Sequence, residues 1–269
     1  MNKNRLIRAF TLVELLVVIS IIALLLSILM PSLSKARKQG QAVVCLSNLR
    51  QWGLAFALYG NANNDLMPEF TVAREADKSW MTTLSAYGAD VVKFRFCPSA
   101  TKVADLDWNG QAGTIYDKPG DTFRAWYVNA KLVSWLPDED YGVGSYGNND
   151  WCHSNNAYDQ IFGGNFSYAK LATPGAYLIP LFFDCRWSGI VPRDTTLAPR
   201  QKDVPGLPFY SLKNWHWVNG SVMRRHKKGV NMVFLDMSAK NVAAEELWDF
   251  KWHRNWNYRG PKANLSWLD

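Results

Sequence analysis

The chain has 269 residues and a formal charge of +7. That excess is modest, and no run of Lys and Arg is interleaved with stacking aromatics, which argues against nucleic acid as a partner. Four cysteines without any Cys-x-x-Cys pair argue against a zinc ribbon, and neither His-Glu-x-x-His nor a phosphate-binding Gly-x-x-x-x-Gly-Lys-Ser/Thr stretch is present, so no enzyme is expected.

The first element is the apolar run Phe10–Met30, interrupted by one charge, Glu14. At about 1.5 Å per residue it makes a helix of roughly 31 Å, which matches the ~30 Å hydrocarbon core of a bilayer. Lys3, Arg5 and Arg8 precede it with no acid among the first nine residues, so the positive-inside tendency places the N-terminus in the cytoplasm. A carboxylate inside such a run costs about 2.5–3.5 kcal/mol at the bilayer centre and less near an edge, so a partner for Glu14 is expected. An ordinary secretory signal would have a shorter apolar core and a small-residue cleavage site after it, whereas Met30-Pro31-Ser32-Leu33 follows here.

Past the run, Ala42, Cys45, Leu49, Trp52, Phe56 and Tyr59 recur at helical spacing as one apolar stripe, with Lys35, Arg37, Lys38, Gln41, Asn48, Arg50 and Gln51 off it. Gly60 and Asn61-Ala62-Asn63-Asn64-Asp65 predict a helix stop and a loop. Residues 10–59 therefore read as one rod of about 75 Å bent at Pro31, with its second half packed on a domain. Asn61, Asn63 and Asp65 mimic the first ligands of a calcium loop, but Leu66 stands where that loop needs Gly and Val72 where it needs Glu.

Val91–Cys97 reads as a strand. Asp105–Asp121, Pro137–Asn165 and Arg186–Pro208 read as irregular. Gly142-Val143-Gly144-Ser145-Tyr146-Gly147 falls short of a nucleophile elbow, because Val143 occupies a position that needs Gly. Ala176–Asp184 predicts a buried strand in which Pro180 marks an edge or a bulge. Arg224–Lys228, the densest basic cluster, reads as a solvated turn. Val230–Leu235 and Ser238–Val242, turning at Asp236-Met237, predict a hairpin. His226 and Asp236 are expected to form a polar pair that holds it. Ala243–Trp256 carries a second helical pattern with Trp248, Trp252 and Trp256 on one face. Thirteen tryptophans, among them Trp215 and Trp217, are expected mainly in the core or at subunit contacts, a sugar-stacking surface being the other use.

The segment Arg8-Ala9-Phe10-Thr11-Leu12-Val13-Glu14 resembles the prepilin processing motif of type IV pilins and type II secretion pseudopilins. The resemblance implies that a prepilin peptidase cuts between Ala9 and Phe10, where Ala9 replaces the family's usual Gly, and that Phe10 is then N-methylated. Glu14 would be the fifth mature residue, where the family carries its glutamate. It implies partners too: the peptidase and methylase, the bacterial inner membrane, and other pilin or pseudopilin subunits. In a staggered assembly Glu14 would face the Phe10 amine of a neighbour, an attraction of about 4 kcal/mol at 4 Å and an effective dielectric near 20, before desolvation. Cys45-Leu46-Ser47-Asn48-Leu49-Arg50-Gln51 with Tyr59 and Pro68, then Phe96-Cys97-Pro98-Ser99, and Arg225-His226 with Gly229, Asn231, Phe234 and Asp236, resemble landmarks of a large pseudopilin-like subfamily. That subfamily ends in a His-x9-Asp-Gly domain, and Met237 replaces the Gly here.

The resulting expectation is an α+β, pilin-like chain: a leader (1–9), a single-pass transmembrane helix (10–30), its extramembrane continuation (31–59) and a globular domain (60–269) with an antiparallel sheet and long loops. With the domain on the extracytoplasmic side, Cys45, Cys97, Cys152 and Cys185 would lie in an oxidising compartment, and the pairs Cys45–Cys97 and Cys152–Cys185 are favoured among the three connectivities. No cofactor is expected apart from calcium, for which the family's irregular loop would correspond to Asp138, Glu139 and Asp140. The expected role is a filament subunit of a type II secretion pseudopilus or type IV pilus-like fibre. The rival is a membrane-anchored glycan-binding or enzymatic ectodomain with a prepilin-type leader.

Overall fold

The structure, a computed structural model, describes residues 11–69, 80–88, 90–100, 125–128, 142–155, 157–198, 218–223 and 225–265. Ala9 and Phe10, the stretch 105–121, the acids 138–140 and the Trp215–Trp217 pair lie outside the described residues. The chain divides into two units, 1–40 and 41–269.

In the first unit the described residues belong to helix α1, Leu12–Ala62, with Pro31 inside it. Every residue from 12 to 40 is exposed, including the apolar series from Leu12 to Leu33. The two serines in the apolar run turn back on the helix: Ser20 Oγ donates to the Val17 carbonyl (2.8 Å) and Ser27 Oγ to that of Leu24 (2.7 Å). Such back-bonding leaves a lipid-compatible surface. The helix is long and apolar enough to cross a membrane.

In the second unit the predicted stripe is the core-facing side of the helix. Cys45, Leu49, Trp52 and Phe56 are buried, and Tyr59 packs at the margin. The helix does not stop at Gly60 but runs to Ala62. A side chain at position 60 would collide with Leu171, so Gly60 admits that leucine while remaining helical. Asn64 and Asp65 then take left-handed backbone conformations (φ 55° and 65°), which short polar side chains tolerate, and end the helix.

The main sheet has five strands in the order β5-β3-β4-β6-β7, where β3 is Tyr146–Asn149, β4 Pro180–Asp184, β5 Gly189–Ile190, β6 Gly229–Phe234 and β7 Ala239–Ala243. It is mixed, not wholly antiparallel, because β5 runs parallel to β3. A separate two-stranded ladder pairs β1, Trp126–Val128, with β2, Gly142–Gly144. Among the described residues three short α-helices accompany the sheets: α2 (Trp80–Ser85), α3 (Val91–Phe94) and α4 (Ala157–Phe162). The expected strand at 91–97 is thus a helical turn followed by an irregular strap of bends and a turn. The stretch 137–165, read as irregular, holds β2, β3 and α4.

Both faces of the sheet are covered. Phe182 and Val233 face the α1 stripe, whereas Phe183, Val230, Met232 and Phe234 pack beneath Leu247, Trp248 and Trp252. Burial on both faces explains why β4 and β6 read as continuous apolar runs. Only Ala244–Asp249 of the expected C-terminal helix is helical, and it is a 3-10 turn. Its tryptophans nevertheless sit in the core, Trp248 and Trp252 buried and Trp256 half-buried, with each indole N–H given to a backbone carbonyl.

Pro180 opens β4, where its missing N–H is not needed, and the ladder to β6 slips between Pro180 and Phe182. The Pro180 carbonyl accepts from Asn149 Nδ2 (2.9 Å). The β6–β7 hairpin forms as predicted, from Gly229↔Ala243 to Val233↔Ala239. Met237, at the turn of the hairpin, takes the left-handed conformation that usually falls to Gly (φ 64°).

Gly147, within β3, is the sheet glycine at which an added Cβ would meet main chain instead of a movable side-chain end. An added Cβ would press on the Trp187 carbonyl oxygen and on Cys185 Cβ (2.8 Å), both held by the fold. Gly147→Ala is expected to cost about 3 kcal/mol, the upper end of overpacking penalties, with a lower denaturation midpoint as the readout. An unchanged midpoint would show that β3 can shift to accommodate it.

Candidate functional site

Four chemically reactive side chains from distant segments meet between α1 and the sheet. Cys45 comes from the buried stripe of α1, Cys97 from the strap after α3, Asp184 from the end of β4 and His226 from the lead-in to β6. One ligating atom from each lies within 4.8 Å of all the others, and all four residues are buried. His226 Nε2 is 3.0 Å from Asp184 Oδ2 and 3.3 Å from Cys97 Sγ, and Cys45 Sγ is 3.4 Å from Asp184 Oδ2.

The surroundings are built to hold this arrangement. The strap is gripped through its backbone: Trp52 Nε1 donates to the Phe94 carbonyl (3.1 Å), Asn48 Nδ2 to that of Phe96 (3.0 Å) and Gln41 Nε2 to that of Pro98 (3.1 Å). Two polar residues placed off the stripe by spacing thus have a job at its margin. On the strap's other side, the Cys97 N–H donates to Ser145 Oγ (2.6 Å) and the Ser145 N–H to the Arg95 carbonyl (3.1 Å). Asp184 divides its oxygens. Oδ1 accepts from Arg225 Nη1 (3.1 Å), and Oδ2 faces the cluster while also accepting from the Asn231 N–H (3.3 Å).

Electrostatics follow from this packing. Burial pushes the Asp184 carboxyl up, but the bond from His226 and the charges of His226 and Arg225 outweigh it and hold the group below its ordinary value. Burial likewise opposes charge on His226, and its bonds to Asp184 and Cys97 reverse that and raise it to about 9. The two thiols split. Burial and its neighbours drive Cys45 well up, while at Cys97 the bonds from Cys45 and His226, with the Arg225 charge, overcome burial and lower it to about 6.

Several expectations are corrected here. His226 pairs with Asp184, not with Asp236. Asp236 is exposed, and its Oδ1 accepts from the N–H (3.0 Å) and hydroxyl (2.6 Å) of Ser238 within the hairpin turn. The basic stretch is not a solvated turn either: Lys227 and Lys228 are exposed, but Arg225 is 6 % exposed and bound to a buried carboxylate. All four cysteines are buried, and none is joined in a disulfide. Cys45 and Cys97 are neighbours, as paired, but Cys152 and Cys185 occupy different core clusters. Cys152 Sγ faces the Pro180 carbonyl (3.8 Å), and Cys185 lies against Ser221.

At the other end of the chain, Glu14 is not without a partner. Its Oε2 accepts from the Thr11 N–H (2.9 Å) and from Thr11 Oγ1 (2.8 Å), and Thr11 Oγ1 accepts from the Glu14 N–H (3.2 Å). This reciprocal arrangement is a capping box, and Thr11-Leu12-Val13-Glu14 has the Thr-x-x-Glu spacing that signals one. The spacing was readable in the sequence and is additional to the role that the resemblance implied.

Residues 4–30 match the prokaryotic N-terminal methylation motif. No curated protein and no solved structure is detectably similar to the chain. The methylation motif covers the start of α1 with the basic leader before it, and with the long apolar helix ahead of a mixed sheet it marks a prepilin-type, pilin-like α+β chain. The motif contains Ala9, Phe10 and Glu14, and the buried four-residue cluster lies outside it.

Proposed function

We propose that the chain is a structural subunit of a type II secretion pseudopilus or type IV pilus-like filament, made as a prepilin and matured by cleavage between Ala9 and Phe10 with methylation of the new terminus. The methylation motif over residues 4–30 carries this reading. The exposed apolar series of α1 supports it, since such a surface needs lipid or neighbouring helices to cover it. The leader cations Lys3, Arg5 and Arg8 favour a cytoplasmic N-terminus and a domain on the far side of the bacterial inner membrane. Its partners are then the prepilin peptidase and methylase and other pilin-type subunits, and the chain does no catalysis. Burial of Trp52, Trp80, Trp151, Trp248 and Trp252 weighs against a sugar-stacking ectodomain, which would need such rings exposed.

N-terminal mass spectrometry of the membrane-extracted protein tests the reading. The expected mature chain begins at N-methylated Phe10 and retains all of α1. A start at Met1, or one beyond Met30, would overturn it. Ala9→Gly is expected to keep or improve cleavage, and a bulky residue at position 9 to block it.

A further inference from the structure

We infer that Cys45, Cys97, Asp184 and His226 form a structural site for one tetrahedral transition-metal ion of the zinc class, which staples α1 to the strap and to two strands of the sheet. The donor set is the first argument. Two thiolates, one imidazole and one carboxylate suit zinc, whereas calcium and magnesium require oxygen ligands throughout.

Geometry is the second argument. Zinc bonds of about 2.3 Å to sulfur and 2.0–2.2 Å to nitrogen or oxygen give tetrahedral edges of about 3.3–3.8 Å between ligand atoms. The cluster has 3.3 Å for Cys97 Sγ to His226 Nε2, 3.4 Å for Cys45 Sγ to Asp184 Oδ2 and 3.0 Å for His226 Nε2 to Asp184 Oδ2. The other ligand-atom pairs lie within 4.8 Å, so binding the ion would part the last pair slightly and draw the widest pair inward. A disulfide between Cys45 and Cys97 would use two of the four groups and leave His226 and Asp184 with no role in the join.

Charge is the third. A dication with two thiolates and one carboxylate has one negative charge in excess, and the buried Arg225, bonded to the other carboxylate oxygen, Oδ1, cancels it. The Asn231 N–H on Oδ2 orients the ligating oxygen. All four positions are filled by protein in a closed interior, as in structural and unlike catalytic zinc sites.

The test uses the full chain, extracted in detergent without chelator or reductant. Elemental analysis should find about one zinc-class ion per chain, lost in Cys97→Ser and in His226→Gln. In the wild type, a strong chelator should remove the ion and lower the melting temperature, and added zinc should restore both, so the result does not depend on variants that fold. Cobalt added to the chelated protein should give the intense visible absorption of a tetrahedral thiolate site, abolished by Cys45→Ser. Full metal content in Cys97→Ser would overturn the inference. So would a metal-free wild type, whether its intact mass lacks the hydrogens of the Cys45 and Cys97 thiols, which marks a disulfide, or retains them.

Discussion

Asp184→Asn is expected to be among the most damaging single substitutions in the globular unit. The replacement is nearly isosteric and keeps one acceptor oxygen, so packing changes little. It removes the negative charge bonded to both Arg225 and His226, which are 6 % and 8 % exposed. Removing one partner of a buried ion pair typically costs about 3–5 kcal/mol, because the remaining charge is left without compensation. Against a usual domain stability of about 5–15 kcal/mol this is a large share. Denaturant unfolding of the detergent-solubilised chain should show it as a marked fall in midpoint. Arg225→Gln in the Asp184→Asn background should recover part of the loss, since it removes the stranded cation. A fall below about 1 kcal/mol for Asp184→Asn alone would mean that water reaches the pair and the site is not the closed interior described.

Glu14→Ala is expected to leave the globular unit's melting temperature unchanged and to abolish filament entry. The side chain acts at the first turn of α1, so losing its capping box costs about 1 kcal/mol of local helix stability. In a staggered assembly the larger loss falls on the neighbour, whose Phe10 amine would be buried without a partner at about 3–5 kcal/mol. Glu14→Gln separates the two effects, because glutamine can still cap Thr11 but carries no charge. Crosslinking in the membrane should find both variants inserted and neither in ordered filaments. Normal incorporation of Glu14→Gln would assign the glutamate to capping alone. Equal incorporation of Glu14→Ala would move weight to an anchored ectodomain that does not assemble.

What the sequence revealed, and what it hid, divides by range. The α1 stripe and the β6–β7 hairpin are local periodicities that packing reinforced, so Cys45, Leu49, Trp52 and Phe56 were legible as a buried face. Strand β3 was not. Tyr146-Gly147-Asn148-Asn149 has almost none of the residues that favour strands, and the sheet forms it anyway because Asn149 supplies Pro180 and Trp252 with a donor and Gly147 lets the next segment approach. The helix expected at 243–256 failed for the opposite reason. Its tryptophans repeat at helical spacing, but indole-to-carbonyl bonds hold them in a tighter, irregular path. The four-residue cluster had no local signature at all, since each member comes from a different element. Nearness in sequence suggested Asp236 as the partner of His226, whereas the carboxylate that meets it stands at the end of an apolar strand.

The strap carrying Cys97 has one further consequence. Helix α1 holds it by three carbonyls, and Ser145 by the Arg95 carbonyl and the Cys97 N–H, so its path is specified by main-chain atoms. Identity along the strap is therefore free to drift wherever the side chain bears no other duty, while its course over the helix is inherited from Gln41, Asn48 and Trp52. The exacting positions for placing the Cys97 sulfur are then on the helix, remote in sequence from the atom they position.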